Sequence, residues 1–159
     1  MRAIYPGTFD PVTNGHMDLI QRGVRMFGNL VVAVARNVPK SPWFSAEERL
    51  GMVQESLGDL RGVEAEIFDS LLIDFARLKG ASVILRGLRA VSDFEYELQI
   101  ALTNRTLSPN LETVFMMPST KYIYLSSRIV RDIASYGGPV EDFVPPPVVP
   151  RLRARHPAR

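Results

Sequence analysis

The stretch YPGTFDPVTNGHMDLIQRGVRMF, Tyr5 to Phe27, changes character half-way along. Its second half carries apolar residues at helical spacing from about His16 to Phe27, where Gly28 supplies a left-handed C-terminal cap. Its first half suits neither helix nor strand: Gly7, Pro11, Asn14 and Gly15 are turn residues, and His16 is one of only 2 histidines in the chain. Ahead of it lies the short apolar run RAIYP. Strand, glycine-bearing loop and helix, in that order, form the edge at which open α/β sheets bind ligands. There Gly7 lets the backbone approach a ligand, Pro11 and Gly15 stiffen and turn the loop, and the helix N–H groups near His16 favour an anion. The spacing matches neither GxxxxGK[ST] nor GxGxxG. From the loop alone, a phosphate site competes with a plainer reading in which Thr8 and Asn14 form turns and His16 is a helix cap.

The remaining chain sets the scale. With 159 residues, 46% hydrophobic and 23% charged, it fits a single domain spanning 1–159 with its own core. Cysteine is absent, which excludes disulfides and thiolate metal sites and is compatible with a reducing compartment. No apolar run approaches the roughly 20 residues that span a bilayer, and the N-terminus has no signal-like pattern, so a cytoplasmic protein with no membrane partner is expected. Nineteen Lys+Arg against 17 Asp+Glu is too even for bulk charge to name a polyanionic partner. Local clusters have to carry that case.

Five short β-branched or alternating runs bounded by Gly, Pro or Asn read as strands: RAIYP, LVVAVA, VEAEIF, SVILR and ETVFMM. Helical patterns lie between them. SAEERLGMVQESL opens on a capping box of Ser45 and Glu48, LLIDFARLK ends at Gly80, DFEYELQIALTNRTL follows a box of Ser92 and Glu95, and SSRIVRDIASY stops at Gly137 and Gly138. Such alternation predicts an α/β fold, a doubly wound, mostly parallel five-stranded sheet with helices on both faces, of Rossmann-like kind. Residues 145–159, Pro-rich and then basic, read as a loosely held C-terminal segment ending in a short helix.

Three further clusters fall at strand ends. VILRGLR places Arg86 and Arg89 around Gly87, and arginines leaving a buried strand at a glycine are poorly explained as a solvated face, whereas the guanidinium fork suits phosphate oxygens. KYIYLSSRIVRD puts Ser126 and Ser127 at a helix start beside Arg128, where an N-cap serine is the plainer reading. Lys40 lies in RNVPKSPWF after the second strand and could equally serve solubility alone. Four strand-end loops with phosphate-binding chemistry together are far less expected by chance than any one.

These residues also carry a resemblance. Thr13-Asn14-Gly15-His16 resembles the [HT]xGH signature of the nucleotidyltransferase superfamily, and LSSRIVRD resembles its other motif. GTFDPVTNGH, RGLRAVSDFEYELQIALTNR and the double-serine helix start together are similar to the bacterial phosphopantetheine adenylyltransferases over nearly the whole chain. The resemblance implies an enzyme that joins ATP and 4′-phosphopantetheine into dephospho-coenzyme A and pyrophosphate, in coenzyme A biosynthesis, by direct in-line attack. It implies Mg²⁺ held mainly through ATP phosphates with no protein metal ligand, a homohexamer, and coenzyme A as a candidate feedback ligand. Residue by residue, it implies that Thr8 orients the attacking phosphate and contacts ATP with Phe9 nearby, and that His16 meets the α-phosphate. Lys40 and Arg86 would bind the phosphopantetheine phosphate, and Leu72 would line the pantetheine site. Gly87, Leu88, Arg89, Glu97 and the run Tyr122, Ile123, Tyr124, Leu125, Ser126, Ser127, Arg128 would contact ATP. Arg128 departs from the small hydroxyl residue frequent in the family.

That chemistry is consistent with the residues present. A phosphate monoester has a second pKa of about 6, so the nucleophile is largely ionised at neutral pH and needs no general base. Positioning and neutralisation of charge remain, and His16, Lys40, Arg86 and Arg89 suit them, with His16 expected as an imidazolium between anions. Asp10 is open to two readings, an outer-sphere Mg²⁺ partner or a turn residue before Pro11. Glu97 and Glu95 could simply face solvent, Phe94, Leu98, Ala101 and Leu102 suit core or subunit contact, and Trp43 could cover the pantetheine arm or pack on its own domain. A nicotinamide-mononucleotide adenylyltransferase or a cytidylyltransferase would share the His16 loop, although the RGLR and DFEYELQ pairing argues against both. A nucleic-acid-binding protein would need a continuous basic face with stacking aromatics, a pattern these strand-end arginines do not form, so no nucleic-acid partner is expected.

Overall fold

The computed structural model describes residues 1–39 and 41–155; Lys40 and residues 156–159 lie outside the described residues. Five strands form one parallel sheet: β1 (Arg2–Gly7), β2 (Asn29–Ala35), β3 (Val63–Phe68), β4 (Val83–Gly87) and β5 (Glu112–Met116), in the order β3-β2-β1-β4-β5. Each lies within a residue of the run that predicts it, because these runs are β-branched and bounded by turn residues, with the three central strands β2, β1 and β4 largely buried on both faces. β1 sits at the centre, and the connection order reverses between β1 and β4, which opens a crevice at the strands' carboxyl ends.

Helices cover both faces. On one lie α1 (Asn14–Phe27), α2 (Ala46–Leu57), α5 (Ser127–Ser135) and α6 (Val149–Arg155), whose Leu19, Ile20, Met52, Val53, Val130, Ala134 and Leu152 pack with Ala3, Tyr5, Val32, Val34 and Leu85 of the sheet. On the other, α3 (Leu72–Leu78) packs Ile73, Phe75 and Ala76 against Ile4, Val31, Ala33 and Ile84, while α4 (Val91–Leu107) touches β5 through Phe94, whose ring meets Phe115 edge-on at 6.0 Å. The doubly wound expectation holds.

Local details differ from the sequence reading in three places. The capping box of Ser45 and Glu48 forms, with bonds of 3.1 and 2.8 Å, but α4 starts earlier than expected. Ala90 occupies its N-cap in extended conformation without a side-chain cap bond, so Ser92 falls inside the helix and cannot be the cap. The incoming backbone decides this: Leu88 is held by a 3.0 Å bond from its N–H to the Met116 carbonyl, and the chain turns helical directly afterwards.

The C-terminal segment is not loosely held over its described part. Val140, Val144, Val148 and Leu152 insert into the core, each no more than 2% exposed. Arg151 pairs with Glu55, Arg153 with Glu141 and Arg155 with Glu48, and the Arg155 guanidinium lies over the Phe44 ring. A Pro-rich, basic composition masked a regularly spaced apolar stripe. Third, Phe94, Leu98 and Leu102 are exposed by 40%, 37% and 54%, which removes the core half of the expectation for α4. Among the described residues, no helix is long and apolar enough to cross a membrane.

Candidate active site

The crevice at the β1/β4 switch point opens as a cavity of about 630 Å³. Its floor is the loop between β1 and α1. Thr13 caps α1: its hydroxyl accepts from the His16 N–H at 3.3 Å, and its own N–H donates to His16 Nδ1 at 3.0 Å. His16 thus completes a capping box in the place usually filled by Glu or Gln, so the cap and the ligand readings of this residue are both embodied in one side chain. Because Nδ1 accepts an N–H bond, the neutral ring carries its proton on Nε2, on a side chain that lines the cavity.

Burial, with the Arg89 cation adding to it, lowers the pKa of His16 to about 4. The resting ring is therefore neutral in the unliganded protein, where it remains a hydrogen-bond donor through Nε2. In the unfolded chain His16 titrates near 6.5, so between that value and about 4 the unfolded state binds more protons and stability falls as pH falls. His16→Gln, which does not titrate, is expected to reduce this slope by up to about one proton in urea unfolding between pH 4 and 6.5. Equal slopes for the two proteins would show that His16 is not held neutral by the fold.

The loop itself is tightly determined. Phe9 has φ of 53°, a sparsely populated value for a large side chain that costs about 1–3 kcal/mol. Its ring is only 2% exposed and meets Tyr5 at 5.5 Å and His16 at 5.0 Å, both edge-on. Gly7 is required by that packing, since a Cβ there would come within 2.9 Å of the Phe9 ring. Asp10 is buried and its two oxygens accept the Trp43 and Phe44 N–H groups at 2.9 and 3.0 Å, while Arg131 pairs with it at 3.4 Å. Its carboxylate is a structural acceptor joining two loops, which is more than a turn former does. Trp43 correspondingly packs against its own core.

Opposite the loop stands the end of β4. Arg86 donates to both oxygens of Glu97 at 2.7 and 2.5 Å and to the Pro6 carbonyl at 3.2 Å. Burial opposes the charge on Arg86, and the Glu97 carboxylate more than restores it. Glu97 is only 9% exposed and aimed inward, so the solvent-facing alternative is excluded. Arg89 donates to the Leu125 carbonyl at 3.2 Å and faces Asp93 at 3.8 Å. Burial, aided by Glu97, also holds the Tyr5 hydroxyl neutral, well above the usual phenol range, against the pull of Arg86 and Arg89.

The third wall is the start of α5. Ser126 is indeed an N-cap, accepting from the Ile129 N–H at 3.2 Å, and Ser127 donates to the Pro11 carbonyl at 2.7 Å. Both line the cavity with Tyr122, Leu125 and Arg128. Arg128 is exposed there.

Of the expected site residues, Thr8, Phe9, His16, Arg86, Gly87, Arg89, Glu97, Tyr122, Leu125, Ser126, Ser127 and Arg128 thus surround one cavity. Leu88, Ile123 and Tyr124 flank it without lining it, and Leu72 packs on the opposite face of the sheet beside Ile73. Lys40 lies outside the described residues, although its neighbours Pro39 and Ser41 line the cavity. Tyr5, Asp93, Tyr96 and Arg131 also line it and were not singled out by sequence. Only the inward direction of alternate residues along β1 hinted at Tyr5. The cavity carboxylates Asp10, Asp93 and Glu97 all face arginines, and no group of three or more His, Asp or Glu among the described residues could hold a metal ion.

Comparison with known proteins identifies the family. Residues 4–133 match the cytidylyltransferase-like family. Proteins named phosphopantetheine adenylyltransferase are 51% identical in Geotalea daltonii, over 96% of this chain and 95% of that protein, and 54% identical in Alkalilimnicola ehrlichii, over 97% and 90%. The relative of that name from Legionella pneumophila is 54% identical over 97% of this chain and 91% of its own. Plasmodium falciparum nicotinic acid mononucleotide adenylyltransferase, solved in complex with NaAD, shares the fold at a TM-score of 0.72 with 13% identity, over 96% of this chain and 94% of that one. With the strand-end phosphate chemistry gathered on one cavity and half of the residues shared with these relatives over nearly their full length, the chain belongs to the phosphopantetheine adenylyltransferase family of nucleotidyltransferases.

Proposed function

We propose that this protein transfers the adenylyl group of ATP to 4′-phosphopantetheine, releasing pyrophosphate and forming dephospho-coenzyme A by direct in-line attack. The observation that carries the reading is the convergence of His16, Arg86, Arg89 and the Ser126–Ser127 helix start on a single cavity at the sheet's switch point. The attacking phosphate is already ionised, so the protein's task is to align two polyanions and stabilise the charge that moves onto the α-phosphate and the leaving pyrophosphate. In this reading the P–O bond from the phosphopantetheine phosphate to the α-phosphorus forms as the bond to the β-phosphate bridging oxygen breaks.

His16 Nε2–H is the donor to the α-phosphate. Its orientation is fixed by Thr13, and its neutrality costs nothing, since a donor is required rather than a base. Thr8 orients the acceptor phosphate. Arg86 binds that phosphate with Lys40: Nε, Nη1 and Nη2 each spend one N–H inside the protein, leaving two of five donors for an anion. Arg89, Gly87, Ser126, Ser127 and Arg128 receive the nucleotide's polyphosphate. Glu97 acts through Arg86, which it holds by both oxygens, and so on the acceptor phosphate rather than by touching ATP itself. Mg²⁺ would be held mainly through the phosphates of the nucleotide, where it would neutralise phosphate charge, while Asp10, Asp93 and Glu97 pair with arginines. The exposed apolar residues Phe94, Leu98 and Leu102 on α4 support the homohexamer as part of the same proposal, and the absence of a membrane-crossing helix among the described residues fits a cytoplasmic enzyme.

Pyrophosphate release with MgATP and 4′-phosphopantetheine, and the mass of dephospho-coenzyme A as product, are expected; replacing the acceptor with nicotinamide mononucleotide or ATP with CTP should abolish turnover. Turnover with either replacement and none with the expected pair would overturn the substrate assignment.

A further inference from the structure

Arg49 is the largest fully buried side chain in the described protein, 1% exposed, and it has no direct carboxylate partner. It projects from the first turns of α2. Its guanidinium collects three backbone carbonyls from three separate segments: Nη1 donates to Thr8 at 2.7 Å and to Ala35 at 2.8 Å, and Nε donates to Phe44 at 3.1 Å. Thr8 lies in the cavity floor, Ala35 ends β2, and Phe44 lies at the end of the segment between β2 and α2. Burying an arginine is costly unless its donors are satisfied, and hydrophobic residues would fill a core position at lower cost, so the feature calls for a purpose beyond packing.

The carbonyl of Thr8 belongs to the peptide unit that precedes Phe9, the one non-glycine residue with positive φ among the described residues. Rotation of that unit would change Thr8 ψ and Phe9 φ together and so release the positive-φ conformation of Phe9 on which the shape of the cavity floor depends. Asp10, next along the loop, binds the N–H groups of Trp43 and Phe44 from the other side. The loop after β1 and the loop after β2 are therefore locked to each other by one buried cation and one buried anion, each acting on backbone.

We infer that Arg49 is a positioning residue for the nucleotidyl transfer: through the Thr8 carbonyl it fixes the Thr8–Phe9 backbone, and through Ala35 and Phe44 it fixes that backbone relative to the segment between β2 and α2, whose Pro39 and Ser41 line the cavity. This rests on the transfer reaction proposed above. The geometry it controls matters only when the two phosphates must lie in line, so its loss acts on kcat and leaves binding of either substrate alone largely untouched. A misplacement of about 1 Å in such an arrangement costs about 10²-fold in rate.

The test compares wild type, Arg49→Met, Arg49→Lys and Leu152→Ala in the pyrophosphate assay with MgATP and 4′-phosphopantetheine, at a temperature where circular dichroism shows each protein folded. Leu152→Ala is a destabilising truncation of a fully buried residue on α6, remote from the cavity, and should keep wild-type kcat. Arg49→Met is expected to lose about 10²-fold in kcat with KM for both substrates within about threefold. Arg49→Lys keeps the charge but has a single nitrogen for three carbonyls, and should fall between the two; it carries the test if Arg49→Met does not fold. A kcat within threefold of wild type per folded molecule, or a loss confined to KM, overturns the positioning role. Failure of wild type itself to turn over would instead overturn the substrate assignment, so the two failures are separate.

Discussion

Replacement of His16 by alanine should lower kcat by about 10²–10³-fold while the protein stays folded, because it removes a preorganised donor to developing phosphate charge, an effect worth about 3–4 kcal/mol. The geometry makes the loss specific to the transition state. Nε2 carries the proton because Thr13 N–H occupies Nδ1, and the ring is held between Phe9 and the helix start. KM for ATP should change much less than kcat, since Arg89 and the α5 N-terminus receive the polyphosphate independently. The structural penalty is smaller: one half of a capping box is lost, about 1 kcal/mol, so thermal unfolding should shift by only a few degrees. Steady-state kinetics beside calorimetry reads both quantities. Turnover within threefold of wild type would remove His16 from the chemistry and leave it a cap.

The largest effect on stability is expected at Asp10. Asp10→Ala deprives two backbone N–H groups of their acceptor and leaves Arg131 without its 3.4 Å carboxylate partner. Breaking a buried pair from one side typically costs about 3–5 kcal/mol, which for a domain of this size corresponds to a fall in Tm on the order of 10 °C. Asp10→Asn retains one oxygen acceptor and should lose roughly half as much. Calorimetry near pH 7 decides it; a loss below about 1 kcal/mol would mean that the loops hold each other without this carboxylate. The prediction also separates two ideas about Asp10, since a residue serving only a bound Mg²⁺ would leave the unliganded protein's Tm unchanged when replaced.

Much of this protein was legible before any coordinates. The five strands were visible because each is a short β-branched run closed by a turn residue, and both faces of a parallel sheet demand apolar side chains. The His16 loop and the Arg86–Arg89 pair were visible because glycine and arginine at a strand end have few other uses. Capping at Ala90 was not visible, since which residue leaves helical conformation first depends on where the sheet delivers the chain. Nor was the packing of the C-terminal segment, where Pro and Arg dominated the composition and only Val148 and Leu152 carried the signal.

Local chemistry thus determined the elements, their order and the residue types at the strand ends, because propensity, turn formation and hydrophobic period act over a few residues and are written in sequence. Charge state and partnership were decided only in three dimensions. Whether Glu97 faces water or holds Arg86, whether His16 is protonated or neutral, and whether Arg49 is a surface residue or a buried clamp on three carbonyls all depend on long-range contacts. The desolvation and hydrogen bonds that set them arise when residues 11 to 80 positions apart in the chain are brought together.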